Sequence, residues 1–328
     1  MTRRHATTLP DLFIDRLRRI VPADHLEDVL HSFEAAPLTS FRVNTLLADI
    51  QETITSLRAK GLDLRPVEWY PEAFWVPQEE RDGLLASPEA ETGHIYIQNL
   101  SSMLPPLILA PEPGERVLDL TAAPGSKTLQ LASLMKGEGE LAAVEIVRGR
   151  FFKMKALLDT YGASFVRTFL QNGERVWRYR PEYFDRILLD APCSTEGRFT
   201  TSNPETYAYW SARKIKEMAR KQRRLLFSAI HTLRPGGVLV YSTCTFAPEE
   251  NEVMIDWALT RFEGALETAD IQIDLPDALA PLPEWSGKPF ASGVARARRI
   301  LPNTGFEGFF VCRLKKTRST FQGSMAPR

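Results

Sequence analysis

Arg116-Val-Leu-Asp-Leu-Thr-Ala-Ala-Pro-Gly-Ser-Lys-Thr128 contains a short apolar run, a tight loop and the opening of a helix. From Arg116 onward the apolar pattern alternates between strand and helix periods, over 116–120, 127–136, 140–145, 148–161, 164–169, 184–189, 212–234 and 238–243. That alternation predicts an α/β fold, a mostly parallel doubly wound sheet with helices on both faces. In such sheets ligands lie outside the carboxyl ends of the strands, so the loop Thr121–Lys127 is a prime binding position. It carries one glycine, Gly125, behind the rigid Pro124, and lacks both GxGxxG and GxxxxGK[ST]. A dinucleotide is therefore disfavoured and a P-loop excluded.

Glu145 ends the next strand, twenty residues after Gly125, where an acid can accept hydrogen bonds from ribose hydroxyls. A ribose acid beside a loop without pyrophosphate geometry fits S-adenosylmethionine, a nucleoside with no phosphate. The bland alternative is a plain strand–helix turn with Glu145 solvated. Asn172, after the third strand, is the side chain that could meet the adenine edge, or simply part of an Asn-Gly turn.

Two further apolar runs end in cysteines: Leu188-Leu-Asp-Ala-Pro-Cys193 and Val240-Tyr-Ser-Thr-Cys244. One long helical stretch, 212–234, separates them, so their strands are expected to be neighbours, with both thiols and Asp190 facing the cofactor crevice. A single cysteine after a strand is usually a small buried hydrophobe. Two at one sheet edge beside an acid suggest chemistry. Methylating carbon 5 of cytosine needs this set. A thiolate adding to carbon 6 turns carbon 5 into an enamine nucleophile, a carboxyl group steadies the adduct, and a base then removes the carbon-5 proton.

The same residues resemble the Nol/Nop/Sun family of RNA (cytosine-5) methyltransferases, especially its bacterial ribosomal-RNA members. The carriers are Leu118–Lys127, Leu189-Asp-Ala-Pro-Cys-Ser194 and Pro235–Thr245 with Glu249-Glu-Asn-Glu252; Arg42-Val-Asn44, Gln98–Leu104 and Gly308-Phe-Phe310 add support. The resemblance runs from about Thr39 to Leu314. It implies a Rossmann-like class I S-adenosylmethionine-dependent methyltransferase with a small N-terminal α+β domain. It implies Cys244 as nucleophile, Cys193 in product release and Asp190 against both base and cofactor. Thr121, Ala122, Ala123, Pro124, Gly125, Ser126, Lys127, Glu145 and Asn172 would hold S-adenosylmethionine. Thr121 replaces a frequent cysteine, Asn172 stands where an aspartate is usual, and Glu196 interrupts the commoner Ser-Gly. Ribosomal RNA of the small subunit is the expected substrate, with transfer RNA the alternative. A non-catalytic RNA-binding assembly factor is the second class of reading. A thiol redox enzyme is third, because no CxxC exists.

The remaining sequence fits that frame. Residues 9–36 read as two helices stopped by Pro37, Thr39–Leu47 as a strand, and Asp49-Ile-Gln-Glu52 as a capping box opening a helix that Gly61 ends. Val67–Val76 is extended, suggesting a split-βαβ domain of RRM or ferredoxin type. Residues 82–93 read as a polar linker, 93–98 as a strand, and 100–109 as a helix with Pro105 and Pro106 near its start or at a kink. Glu249–Arg261 is a further helix and Gly308–Leu314 a last strand holding Cys312 in the core. The expected domains are 1–92, RNA-binding; 93–316, catalytic; and 317–328, a disordered tail.

The 328-residue chain carries 41 Lys+Arg and 41 Asp+Glu, yet Arg148–Arg224 alone holds 17 cations and 8 acids. A basic surface attracts phosphates whatever the total charge. Seven of those cations lie between Arg213 and Arg224, and Arg296, Arg298 and Arg299 form a second group. With no further domain expected after the catalytic one, the N-terminal domain and these cations are expected to hold RNA. The alternative is a solvated helix face. No apolar run approaches the roughly 18 residues that cross a bilayer, no signal segment opens the chain, and three cysteines make no disulfide framework or CxxC metal site. A cytoplasmic monomer with free thiols, no metal, no membrane contact and no obligate protein partner is the expectation.

Overall fold

The structure, a computed structural model, describes residues 8–35, 38–275 and 278–321. Pro37 and the tail beyond 321 lie outside the described residues. Helices α1 (Asp11–Ile20) and α2 (Leu26–Ser32) come first. Phe13, Leu17, Ile20, Val29 and Phe33 bury against Phe199, Tyr207, Phe246 and Leu301 of the catalytic body. Arg16 seals the contact by donating to Glu249 at 2.6 Å.

The small domain is built from β1 (Thr39–Val43), α3 (Ile50–Ala59), β2 (Arg65–Pro66), β3 (Ala73–Val76), α4 (Arg81–Leu85), α5 (Pro88–Glu91) and β4 (Ile95–Ile97). Its antiparallel strands stand in the order β2-β3-β1-β4. With helices between β1 and β2 and between β3 and β4, this is a split-βαβ arrangement. Asp49 caps α3, accepting from the Glu52 backbone N–H at 3.0 Å, and Gly61 beyond the helix takes φ +87°. Two sequence boundaries shift. The stretch 82–93 is not a linker: Leu84 is fully buried, and the buried Glu89 accepts from Ser56 at 2.6 Å and pairs with Lys60. β4 pairs with β1, so the small domain extends past residue 92 to Ile97.

Helix α6 (Leu100–Leu109) holds Pro105 and Pro106 in its interior rather than at its start. A proline cannot donate to the carbonyl four residues back. Gln98 fills that role for Pro106, donating its amide to the Ser102 carbonyl at 3.1 Å.

The large sheet follows from β5 (Arg116–Asp119), α7 (Ser126–Leu134), β6 (Glu140–Glu145), α8 (Arg148–Thr160), β7 (Arg167–Leu170), β8 (Phe184–Asp190), α9 (Ala212–Thr232), β9 (Leu233–Thr243), α10 (Glu252–Arg261), β10 (Leu266–Ala269), β11 (Ala278–Leu279), the hairpin of β12 (Glu284–Trp285) and β13 (Lys288–Pro289), β14 (Arg298–Ile300) and β15 (Phe309–Lys316). Its order is β11-β14-β15-β9-β8-β5-β6-β7, with β10 also on β15. The five strands β7, β6, β5, β8 and β9 are mutually parallel; β15 lies antiparallel on β9. Period-two alternation divides the core. Val117, Leu188, Val238 and Val240 face α6 and α7, whereas Leu118, Ile187, Leu189, Leu239 and Tyr241 face α9 and α10. β9 starts five residues before the apolar run, because a bulge opposite Phe184–Arg186 absorbs Pro235-Gly-Gly.

The expected disorder of 317–328 does not cover 317–321. Thr317 donates its backbone N–H to Ala265 at 2.9 Å, and the Phe321 ring lies against His231. Strand order reverses between β6 and β8 on either side of β5, which puts the crevice at the carboxyl ends of β5 and β8.

Candidate active site

A cavity of about 340 Å³ opens at that switch point. Thr121, Ala123, Pro124, Ser126 and Lys127 line one side; Glu145, Ile146 and Val147 lie at one end; Asn172 and Leu225 form a wall; Asp190, Cys193 and Cys244 close the other end. Eight of the predicted positions in and around the loop and strands thus meet in one space with both thiols. Ala122 and Gly125 do not line it. Ala122 is buried, its N–H donating to Val144. Gly125, at φ +112°, turns the chain into α7, where an added Cβ would press on Met154 at 3.2 Å. Beneath the loop, Thr128 donates to Asp119 at 2.7 Å, and burial pushes that carboxyl up to about 6.

β8 and β9 are parallel neighbours, so their following residues emerge side by side. Cys193 Sγ and Cys244 Sγ are 3.3 Å apart. Their shared hydrogen bond splits their acidities. Cys244 is driven down by that bond and by the Arg198 guanidinium, while Cys193 is driven well up by the same bond and by burial. The charged form is thus favoured at Cys244 and disfavoured at Cys193. Asp190 is fixed at both oxygens, by Ser242 Oγ at 2.8 Å and Lys127 Nζ at 2.8 Å, and Lys127 also donates to Ser102 Oγ at 2.9 Å. The Thr121 hydroxyl donates to the Asp190 carbonyl at 2.8 Å, tying the loop to β8.

Glu145 is buried. Its Oε1 accepts from Val147 N at 2.7 Å, and Arg150 stands 3.5 Å from its Oε2. Asn172 Oδ1 accepts from Glu174 N at 2.9 Å, which leaves the amide NH₂ as its free group.

Three residues to which the sequence reading gave no part in the site stand in it or beneath it. Arg198 lines the cavity and is held by Glu307 at 2.9 Å. Arg198→Ala is expected to move the pH midpoint of Cys244 alkylation by iodoacetamide upward, with Arg198→Lys close to wild type; an unmoved midpoint would leave the hydrogen bond from Cys193 as the sole cause of the shift. Glu196 clamps the two cysteine loops together. It accepts from Thr245 Oγ1 at 2.8 Å, Phe246 N at 3.0 Å and Trp210 Nε1 at 2.8 Å, and Gly197 N donates to the Cys244 carbonyl at 3.0 Å. What interrupts the Ser-Gly pattern is Thr195, a β-branched residue at φ +58° where glycine is favoured.

Glu250, the third, lies under the Cys193 loop and accepts from Ser194 N at 3.1 Å and Gln222 Nε2 at 2.7 Å. Burial and the neighbouring Glu196 raise its pKa to about 8, against 4.5 in solution. A raised folded value means that the folded state holds the proton more tightly. Glu250 therefore costs nothing below its unfolded value and destabilises increasingly as pH rises from about 4.5 to 8, on the order of 4 kcal/mol in total. Glu250→Gln is expected to flatten that decline in urea titrations between pH 5 and 8; an unchanged slope would show the group to be ionised throughout.

Among the described residues no group of three or more His, Cys, Asp or Glu could hold a metal ion, and no helix is long and apolar enough to cross a membrane.

The family described as 16S rRNA methyltransferase RsmB/F matches residues 106–315, and the N-terminal domain of 16S rRNA methyltransferase RsmF matches residues 9–100. Ribosomal RNA small subunit methyltransferase F of Cronobacter sakazakii is 38% identical over 317 residues, covering 95% of this chain and 64% of that protein. Its Escherichia coli counterpart is 36% identical over 322 residues, covering 96% and 65%. The chain thus spans a little under two thirds of the length of these relatives. A methyltransferase homolog from Pyrococcus horikoshii superposes with a TM-score of 0.82 at 34% identity, covering 94% of this chain and 96% of that one. NSun6 from the same organism, whose crystal structure is with SFG, shares the fold, with a TM-score of 0.79 at 22% identity over 94% of this chain and 99% of that one.

Proposed function

Because the chain belongs to the 16S rRNA methyltransferase RsmB/F family, we propose that it methylates carbon 5 of a cytosine in small-subunit ribosomal RNA through a transient bond from Cys244. The observation that carries this reading is the pair of sulfurs 3.3 Å apart, Cys244 shifted toward its charged form and Cys193 away from it, in the cavity that holds Glu145 and the Thr121–Lys127 loop.

The cavity fits S-adenosylmethionine. Buried Glu145 keeps lone pairs for a ribose diol, Ile146 and Val147 offer apolar surface to a planar base, and the NH₂ of Asn172 suits a ring-nitrogen acceptor. When bound there, S-adenosylmethionine supplies an electrophilic methyl group. Thr121, Ala123, Pro124, Ser126 and Lys127 would bound its methionine end.

Cys244 Sγ adds to carbon 6 of the cytosine, and the ring electrons shift so that carbon 5 becomes nucleophilic. Asp190, held by Lys127 and Ser242, accepts from the exocyclic amine and keeps the ring in place. Bond formation consumes the negative charge on Cys244 that keeps Cys193 protonated. Carbon 5 takes up the methyl group, Cys193 gives its own proton to solvent at the open cavity, the resulting thiolate takes the carbon-5 proton, and Cys244 leaves as a thiolate. The target base must leave its stack to reach these sulfurs, which favours a looped or single-stranded cytosine. The small domain's sheet and the exposed cations of α9 are the parts we assign to holding RNA; Arg299, expected among the RNA-holding cations, is buried against Glu252 instead. We infer that the protein works as a monomer in the cytoplasm.

The test is transfer of labelled methyl groups from S-adenosylmethionine to protein-free 16S rRNA and to assembled small subunits, with bisulfite sequencing to locate the product. No incorporation into either, by protein that still binds sinefungin, rejects the reading.

A further inference from the structure

The cations of α9 divide into two groups. Three are engaged: Lys214 pairs with Glu217 at 3.2 Å, Arg224 with Glu174 at 2.9 Å, and Arg223 covers the Trp257 ring. Arg213, Lys216, Arg220 and Lys221 have no ion pair, hydrogen bond or ring partner among the described residues. The helix buries Ile215, Met218, Gln222, Leu225 and Leu226 against the catalytic body. Arg213, Lys216 and Arg220 recur at three- and four-residue spacing on the opposite face. Lys221 stands on the flank and lines the active cavity together with Cys193 and Asn172. At the other end, Tyr209 is 90% exposed, the most exposed large hydrophobic side chain among the described residues.

We infer that this line, from Lys221 at the cavity mouth along Arg220, Lys216 and Arg213 to Tyr209, is the track for the single-stranded RNA that flanks the target base. The inference rests on the proposed function and names how that site holds its substrate. An α-helix rises about 1.5 Å per residue, so Arg213 and Lys221 lie about 12 Å apart along the axis, the reach of two or three nucleotides. Unpaired cations at that interval suit successive phosphates, and a solvent-facing tyrosine is a stacking platform for an unpaired base. Glu217 falls within the line, but its charge is taken up by Lys214. A merely solvated helix face does not call for an exposed aromatic at one end and a cation in the catalytic cavity at the other.

The probe is a fluorescein-labelled 12-nucleotide single-stranded RNA with one central cytosine, and the same sequence as a duplex, with affinity read by anisotropy from 50 to 300 mM KCl. The triple variant Arg213→Gln/Lys216→Gln/Arg220→Gln is expected to reduce the slope of log K against log salt for the single strand by about 2. Tyr209→Ala is expected to weaken binding about tenfold with the slope unchanged. Sinefungin affinity stays at the wild-type value in both, which shows that they are folded. A slope reduced by less than about 0.5 in the triple variant, or a duplex bound as tightly as the single strand, overturns the track. Those results leave the methyltransferase reading standing if the wild type still methylates RNA. A wild type that binds along this line yet methylates no RNA defeats that reading instead.

Discussion

Cys244→Ala is expected to abolish methyl transfer, lowering the single-turnover rate about 10⁴-fold or more, while Cys193→Ser is expected to stall one step later with RNA bonded to the protein. The two sulfurs share one hydrogen bond but shift in opposite directions, Cys244 toward its charged form and Cys193 away from it. Removing Cys244 removes the attack itself, and no adduct forms. Removing Cys193 leaves Cys244 beside Arg198 and still able to attack, but takes away the group that accepts the carbon-5 proton. The methylated base then stays on the enzyme. Denaturing gels of each variant with labelled RNA separate the cases: a slow-migrating, thiol-stable band for Cys193→Ser and none for Cys244→Ala. The reverse pattern would exchange the roles of the two cysteines.

Arg299→Ala is expected to cost about 3–5 kcal/mol of stability and to weaken catalysis beyond that. Arg299 and Glu252 form a buried ion pair in which Nε donates to Oε1 at 2.6 Å, and the exposures of their side chains are 6% and 0%. Deleting the guanidinium strands the carboxylate of Glu252, whose other donor is Leu282 N at 3.0 Å. Arg299 also donates to the carbonyl of Phe246 at 2.9 Å, two residues from Cys244, so its loss frees the loop that aims the nucleophile. Urea denaturation measures the first effect, and the double variant Arg299→Met/Glu252→Leu is the control. With both charges gone it should regain most of the stability but not the rate, since the Phe246 carbonyl stays unpaired. A single variant within 1 kcal/mol of wild type would contradict the assignment of this pair as a buried, mutually dependent one.

Strands with period-two apolar residues, such as Val117-Leu118 and Ile187-Leu188-Leu189, were legible because each face of the sheet meets its own core. The meeting of Cys193 and Cys244 was legible for the same reason: two parallel neighbouring strands end at one edge. Features set by tertiary packing were not. Nothing local marks Gln98 as the donor for a carbonyl that Pro106 cannot serve, or sends α1 and α2 onto the catalytic body rather than the small sheet. The stretch 82–93 reads as polar because its short helices bury only one residue in four or five, and Leu84 alone does not make a pattern. Glu196 and Glu250 stand beside the cysteine motifs, and an acid in such a loop reads as solvated until the fold closes over it. Arg198 follows Cys193 by five residues, and only the turn at Thr195 and Gly197 brings it back toward the sulfur of Cys244.

The most direct test of the chemistry uses RNA carrying 5-azacytidine at the target position, whose ring has nitrogen in place of carbon 5 and so lacks the proton whose removal frees the enzyme. After incubation with the wild-type protein and S-adenosylmethionine, the complex is digested with protease and nuclease and the modified peptide sequenced by mass spectrometry. The nucleotide is expected on Cys244, in the peptide that contains Tyr241-Ser-Thr-Cys244. A nucleotide on Cys193, or full methylation of natural cytosine by a protein that never forms the adduct, would contradict the account.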